Sequence, residues 1–224
     1  IISQTELFPF RQYDVAKKES KWGFCDKEKK IIIPLKYDFV QPFSEDRAIV
    51  SIGDKYGFID ENGNEVIPLK YEADLPHYSE KNIADDFKDG LARVKLYGKW
   101  GFIDKDGKEI IPIKYDTAES FKEGLAKVKI IDEIHVWGLW GFVNRNGKEI
   151  IPTIYDYVQD IKDGFSIVNM NINYGLVDKE GKAVTEMKYY GIGDFVEGYA
   201  KVSIWKDAGF INKEGKEVVP VKYE

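Results

Sequence analysis

The sequence predicts an all-β protein, a tandem array of six three-stranded antiparallel units. Three observations predict it. A Gly preceded by a large residue recurs as Trp22-Gly23, Tyr56-Gly57, Trp100-Gly101, Trp140-Gly141 and Tyr174-Gly175, and a last copy has Ala208-Gly209. The spacings are 34, 44, 40, 34 and 34 residues, a near-fixed period of the kind that marks repeat architectures. Between these pairs run short aromatic and β-branched segments, too short for packed helices and punctuated by Gly and Pro.

Lys99 to Asp116 shows the template most clearly. Trp100-Gly101-Phe102-Ile103 reads as a strand, with Trp100 and Phe102 on one face and Gly101 and Ile103 on the other. Asp104-Lys105-Asp106-Gly107 reverses the chain, because Asp accepts a backbone N–H two residues on and Gly tolerates the positive φ that closes such hairpins. Glu109-Ile110-Ile111 returns, and Pro112, which has no N–H, belongs at a strand end or edge. Trp100 and Trp140 are expected to be largely buried.

The turn glycine recurs as Gly63, Gly107, Gly147, Gly181 and Gly215, with Lys29 in the first copy. The proline recurs as Pro34, Pro68, Pro112, Pro152 and Pro220, and Thr185 is read as its replacement in the fifth copy. A tyrosine follows at 37, 71, 115, 155, 189 and 223. Between copies lies a second phrase, Phe87 to Val94, Phe121 to Val128 and Phe195 to Val202, with looser versions at 43–50 and 161–168. Ala and Val alternate there with polar residues, which makes a third strand. Residues 1–20 match poorly, and Leu7 to Phe10 can supply one strand; no charged-then-apolar leader is present among them.

In register, these features resemble the WG repeat, also called the KWG-type repeat, over residues 21–224. The resemblance implies a bacterial tandem-repeat protein, an all-β interaction module without catalytic residues. The expected organisation is one array over 1–224, with units at about 1–42, 43–86, 87–120, 121–160, 161–194 and 195–224. A four-stranded propeller blade takes about 40 residues or more, and the basic period here is 34. An open or superhelical β array is therefore preferred, with a propeller-like ring as the alternative. The last phrase closes at Tyr223-Glu224 without a cap, so an edge there is expected to be continued or covered.

Composition narrows the function classes. The net charge is −6, from 33 basic and 39 acidic residues with signs interleaved, which argues against a nucleic-acid partner. No apolar run approaches the roughly 18 residues of a membrane helix, so no membrane insertion is expected. The single Cys25 excludes internal disulfides and cysteine-based metal sites. It sits where Ile59, Ile103 and Val143 sit in other copies and reads as a small buried hydrophobe.

Chemistry is sparse. His77 and His135 are the only histidines, and no Gly-x-Ser-x-Gly elbow or Gly-rich phosphate loop occurs. Asp104 to Gly107 suggests a calcium loop but lacks its further ligands and closing Glu. Neither an enzyme, a cofactor nor a metal site is expected. Two intervals exceed 34 residues, placing one insertion within Glu72 to Asp86 and another within Ile130 to Leu139. These hold both histidines, Tyr78 and Trp137. Repeat proteins place such loops on a binding face, and aromatics anchor interfaces. His77, Tyr78, His135 and Trp137, with the off-template Trp205, are the candidate site. The expected function is a non-catalytic scaffold that binds a protein; the alternative is a glycan-binding module using the exposed aromatics.

Overall fold

A computed structural model describes residues 6–73 and 86–223. These residues form six antiparallel sheets and no helix. The first holds β1 (Phe8–Asp14), β2 (Glu19–Cys25) and β3 (Ile31–Tyr37). The second holds β4 (Phe39–Val40), β5 (Ala48–Ile52), β6 (Lys55–Ile59) and β7 (Glu65–Glu72). The third holds β8 (Leu91–Leu96), β9 (Lys99–Asp104) and β10 (Glu109–Tyr115). In the fourth lie β11 (Thr117–Ala118), β12 (Leu125–Ile130), β13 (Leu139–Asn144) and β14 (Glu149–Tyr155). The fifth has β15 (Tyr157–Val158), β16 (Phe165–Met170) and β17 (Asn173–Asp178). The sixth has β18 (Gly191–Ile192), β19 (Tyr199–Ile204), β20 (Asp207–Asn212) and β21 (Glu217–Tyr223). The chain divides into two compact units, Ile1–Lys114 and Tyr115–Glu224.

Strands follow in sequence order across each sheet. Five sheets have the three long strands that the repeat predicts, the fifth has two, and a two-residue strand is added at the edge of four sheets. In the five sheets with three long strands the Trp-Gly strand has hairpin partners on both sides, whereas β17 of the fifth lies at an edge. The template glycine has a steric cause. A Cβ on Gly101 would lie 2.6 Å from the Ile111 carbonyl oxygen, and one on Gly141 2.5 Å from that of Ile151. The return strand comes this close because it bulges. Trp140 pairs with Tyr155 and Phe142 with Ile151, so four steps on one strand answer two on the other. Pro152 lies inside this bulge, where no ladder N–H is required.

The fifth copy departs from this pattern. Thr185 pairs with Leu176 as Ile151 pairs with Phe142, and its hydroxyl accepts the Leu176 N–H at 2.9 Å. Glu186, not Thr185, therefore stands in the proline's place.

Turn chemistry follows the expectation. The Asp104 Oδ1 accepts N–H bonds from Asp106 at 3.1 Å and Lys108 at 2.9 Å. Asn144 does the same for Asn146 and Lys148, both at 3.0 Å. An amide oxygen serves as well as a carboxylate, which marks a turn and not an ion site. Gly107 and Gly147 have φ of 80° and 78°, and Lys29 holds the same conformation at 64°. The Phe-x-x-Gly phrase contributes more than a strand. Asp89-Gly90 forms a tight turn with φ of 51° and 80°, bridging Lys88 to Leu91, as type I′ geometry requires.

A sheet buries a face wherever another sheet of its unit packs on it. Its leading face carries the Ala, Val and Ile of the pairs Ala48–Ile59 and Val50–Gly57. Its trailing face carries Phe58, Ile67 and Tyr71. In the first unit Phe24, Ile33 and Tyr37 pack on Ala48, Val50 and Ile59. Phe58, Ile67 and Tyr71 pack in turn on Ala92, Val94 and Ile103. The phrase phenylalanine covers the preceding sheet, Phe43 at 4.8 Å from Phe24 and Phe87 at 4.9 Å from Phe58. In the second unit Phe142 and Ile151 pack on Val158, Val168 and Val177, and Tyr189 packs on Ala200, Val202 and Ile211. Cys25 is buried, as its position implies. Burial pushes the Tyr71 phenol up to about 12, helped by the Glu109 carboxylate, so it stays neutral.

The template tryptophans correct the expectation of burial. Trp22, Trp100 and Trp140 remain partly exposed. Cations on the neighbouring strand cover their rings. The Arg93 guanidinium lies 4.7 Å and the Lys95 ammonium 5.3 Å from the Trp100 centroid. Lys127 and Lys129 stand 4.8 and 5.1 Å from Trp140. Such cation–π contacts keep an amphipathic ring at the sheet margin.

Candidate functional site

The hairpin joining the phrase strand to the Trp-Gly strand is the element that varies most between copies. It comprises Gly53-Asp54 in the second sheet, Tyr97-Gly98 in the third, Asn171-Ile172 in the fifth and Trp205-Lys206 in the sixth. Two residues per turn require positive φ. Tyr97 and Gly98 have φ of 52° and 73°, Asn171 and Ile172 51° and 68°, and Trp205 55°. The strain falls on large apolar side chains, and these point into solvent. Tyr97 is 87% exposed, Ile172 74% and Trp205 77%.

The second insertion is this same hairpin, enlarged. Between β12 and β13 run residues 131–138, inside the interval that spacing marks. Asp132 organises the loop. Its Oδ1 accepts the N–H of Ile134 at 2.9 Å and of His135 at 2.6 Å. The His135 Nδ1 lies 3.0 Å from both carboxylate oxygens. The His135 N–H and ring hold the Asp132 carboxyl below its ordinary value. His135 is thereby turned toward its own loop, while Ile134, Val136 and Trp137 project outward, Trp137 to 87% exposure.

A carboxylate from the preceding connector anchors the tip in the second to fifth sheets. Asp38 Oδ2 accepts the Gly53 N–H at 2.7 Å, and Glu72 Oε2 the Gly98 N–H at 3.0 Å. Asp116 Oδ2 accepts the Ile131 N–H and Asp156 Oδ2 the Asn171 N–H, each at 2.8 Å. These acids follow the template tyrosine directly. In the sixth sheet Tyr190 holds that position and packs under Trp205, ring centroids 5.1 Å apart. The tips are thus braced and presented.

The first insertion leaves its sheet at the same end. The Ala73 N–H bonds the Asp54 carbonyl at 3.0 Å, beside the β5–β6 tip. His77 and Tyr78 lie outside the described residues. Of the other candidates, His135 and Trp137 share one loop, and Trp205 occupies the equivalent tip two sheets later. Sequence reasoning missed Tyr97, Ile134, Val136 and Ile172. Their signal was positional, since each stands in the two-residue turn that Trp205 occupies or within the enlarged version of that turn.

Among the described residues no group of three His, Cys, Asp or Glu side chains could hold a metal ion. Among the same residues no helix is long and apolar enough to cross a membrane. A cleft of about 110 Å³ between the fourth and fifth sheets is lined by Lys122, Phe142, Asp160 and Ile161. The Lys122 Nζ bonds Asp160 at 2.9 Å across it. That contact holds the Asp160 carboxyl below its ordinary value and raises Lys122. The charges there satisfy each other, and the cleft is far smaller than a site of about 300–1,000 Å³.

Solved structures with related coordinates include a eukaryotic initiation factor (TM-score 0.42, 9% identity, 99% of this chain and 67% of that one). Others are Kluyvelomyces marxianus Hsv2 (0.34, 12%, 95% and 77%) and the AfRom2 CNH domain (0.30, 11%, 96% and 83%). No curated protein sequence matches. The family model described as the WG containing repeat matches residues 22–56, 56–100, 100–132, 140–171, 174–204 and 209–224. With the period, the Gly-driven bulge and the six sheets, that match shows that this chain belongs to the WG-repeat family.

Proposed function

We propose that the chain is a non-catalytic scaffold that binds a protein through the tip end of its sheets. One observation carries this reading: in the third to sixth sheets the same hairpin sets an apolar side chain in solvent. In the second unit these are Trp137, Ile172 and Trp205, with Ile134 and Val136 beside Trp137. Adjacent exposed apolar residues such as Val136 and Trp137 suit an interaction site, and rigid aromatic anchors dominate interface energetics. Positive φ at Trp205 and Ile172 costs about 1 kcal/mol or more each, an expense stability alone does not explain.

Affinity capture from a native lysate, with the parent protein and a Trp137→Ser/Ile172→Ser/Trp205→Ser variant side by side, tests the reading. A protein retained by the parent and lost from the folded variant is expected. Equal capture by both would place the surface elsewhere. The glycan reading keeps one supporting observation, the exposed Trp205 ring held on Tyr190. The template tryptophans do not add to it, since Arg and Lys side chains occupy their faces. A glycan array that responds to the parent and not to Trp205→Ser would favour it over the protein reading.

A further inference from the structure

The phrase phenylalanine closes the contact between neighbouring sheets, and one contact is closed by a smaller residue. Phe43 lies 4.8 Å from Phe24, and Phe87 lies 4.9 Å from Phe58. Phe195 stacks on Phe165 at 6.0 Å, with 29° between the rings. In the fifth sheet the same position holds Ile161, which packs with Leu125 against Phe142. An aliphatic side chain covers less than a ring does. Phe142 is 5% exposed, against 0% for Phe24 and 1% for Phe58. The cleft beside it measures about 110 Å³. The equivalent cleft between the fifth and sixth sheets, lined by Phe165 and Phe195, measures about 20 Å³.

We propose that the cleft between the fourth and fifth sheets receives one phenyl side chain of a protein partner. The chain itself shows the fit, because three equivalent contacts seat a phenyl ring at this place. Size agrees. A cavity of about 150 Å³ lined by Leu, Ile and Phe takes benzene, so the cleft suits a single ring and not a whole ligand. Past Leu125 and Ile161 a second cavity of about 320 Å³ gives the flanking peptide room. Charge favours a ring over an aliphatic group. The Lys122 ammonium lines the cleft, held by Asp160 at 2.9 Å, and a cation beside an apolar site attracts an aromatic face. Leu125 opens β12, at the end of that strand away from the 131–138 tip. The site is therefore a second surface; it rests on the protein-binding reading for its kind of partner and uses no hairpin tip.

Two capped amino acids, N-acetylphenylalaninamide and N-acetylleucinamide, are titrated into the full chain. The methyl NMR signals of Leu125 and Ile161 give the readout. The phenylalanine probe is expected to shift them saturably, and to bind about two- to five-fold more tightly than the leucine probe. Ile161→Phe places the repeat's own ring in the cleft and is expected to lose the response, read at Leu125. The Trp137→Ser/Ile172→Ser/Trp205→Ser variant keeps its cleft and should respond as the parent does, which separates this site from the tips. No saturable shift in the parent overturns the proposal. So does equal affinity for the two probes, an undiminished response in Ile161→Phe, or a lost response in the folded tip variant. A thermal melt establishes that Ile161→Phe folds. Should it fail, Leu125→Phe fills the cleft as Phe165 does in the fifth sheet, with Ile161 as the readout.

Discussion

At Lys29 a lysine occupies a backbone conformation that five other copies give to glycine. Its φ is 64°, against 74–82° at Gly63, Gly107, Gly147, Gly181 and Gly215. Left-handed backbone costs a side chain about 1 kcal/mol, and glycine removes that cost while adding entropy to the unfolded chain. Lys29→Gly is therefore expected to stabilise by up to about 1 kcal/mol, read as a higher denaturant midpoint. An unchanged or lower midpoint would show that the turn is held by other means. The aromatic pair of the template separates in the same way. Phe102 is buried, and Phe102→Ala should cost about 3–5 kcal/mol. Trp100 is partly exposed beneath two cations, and Trp100→Ala should cost clearly less, about 1–2 kcal/mol. Urea melts of the two variants give the order, and the reverse order would restore the tryptophan to the core.

The hairpin is the element that carries both local strain and the candidate site. Its brace is an acid from the preceding connector, such as Asp156 on the Asn171 N–H at 2.8 Å. Removing one such acceptor should cost about 0.5–1.5 kcal/mol. The loss should appear locally, so Asp156→Ala is expected to speed hydrogen exchange at the Asn171 amide while amides in the middle of β16 keep their protection. Uniform acceleration across the sheet would mean that the acid supports the whole element. Asp156→Asn keeps an acceptor oxygen and should restore the slow exchange.

For the whole molecule, pairing between repeats sets the response to acid. The Lys122 ammonium holds Asp160 low, and the Lys188 ammonium holds Glu217 low. A carboxyl depressed on folding binds fewer protons in the native state than in the unfolded one. Its contribution is present above the unfolded value near 4 and fades as pH falls through the folded one. The first pair is largely exposed and the second partly so, and solvent screening keeps each contribution small. The melting temperature is expected to fall progressively below about pH 4.5, and Asp160→Asn/Glu217→Gln should flatten that fall. Chelator should leave the melting temperature unchanged, since the turn carboxylates are spent on backbone N–H groups.

Period and local chemistry were legible in the sequence because they are local. Gly107 needs positive φ, Asp104 needs a turn, and Glu109 to Ile111 needs a strand partner whatever surrounds them. The spacing also placed the second insertion within Ile130 to Leu139 from residue counting alone, and the enlarged hairpin at 131–138 falls there. Tertiary structure decided what depends on neighbours. It showed that Gly101 is dictated by the bulged return strand, a contact between segments with no signature in either. Trp100 was moved from core to margin by two cations on the adjoining strand, which a hydrophobic pattern does not register. Tyr97 and Ile172 became candidates only when β8–β9 and β16–β17 proved to be hairpins equivalent to the one at Trp205. Their residue types differ, and only the shared turn makes them one set.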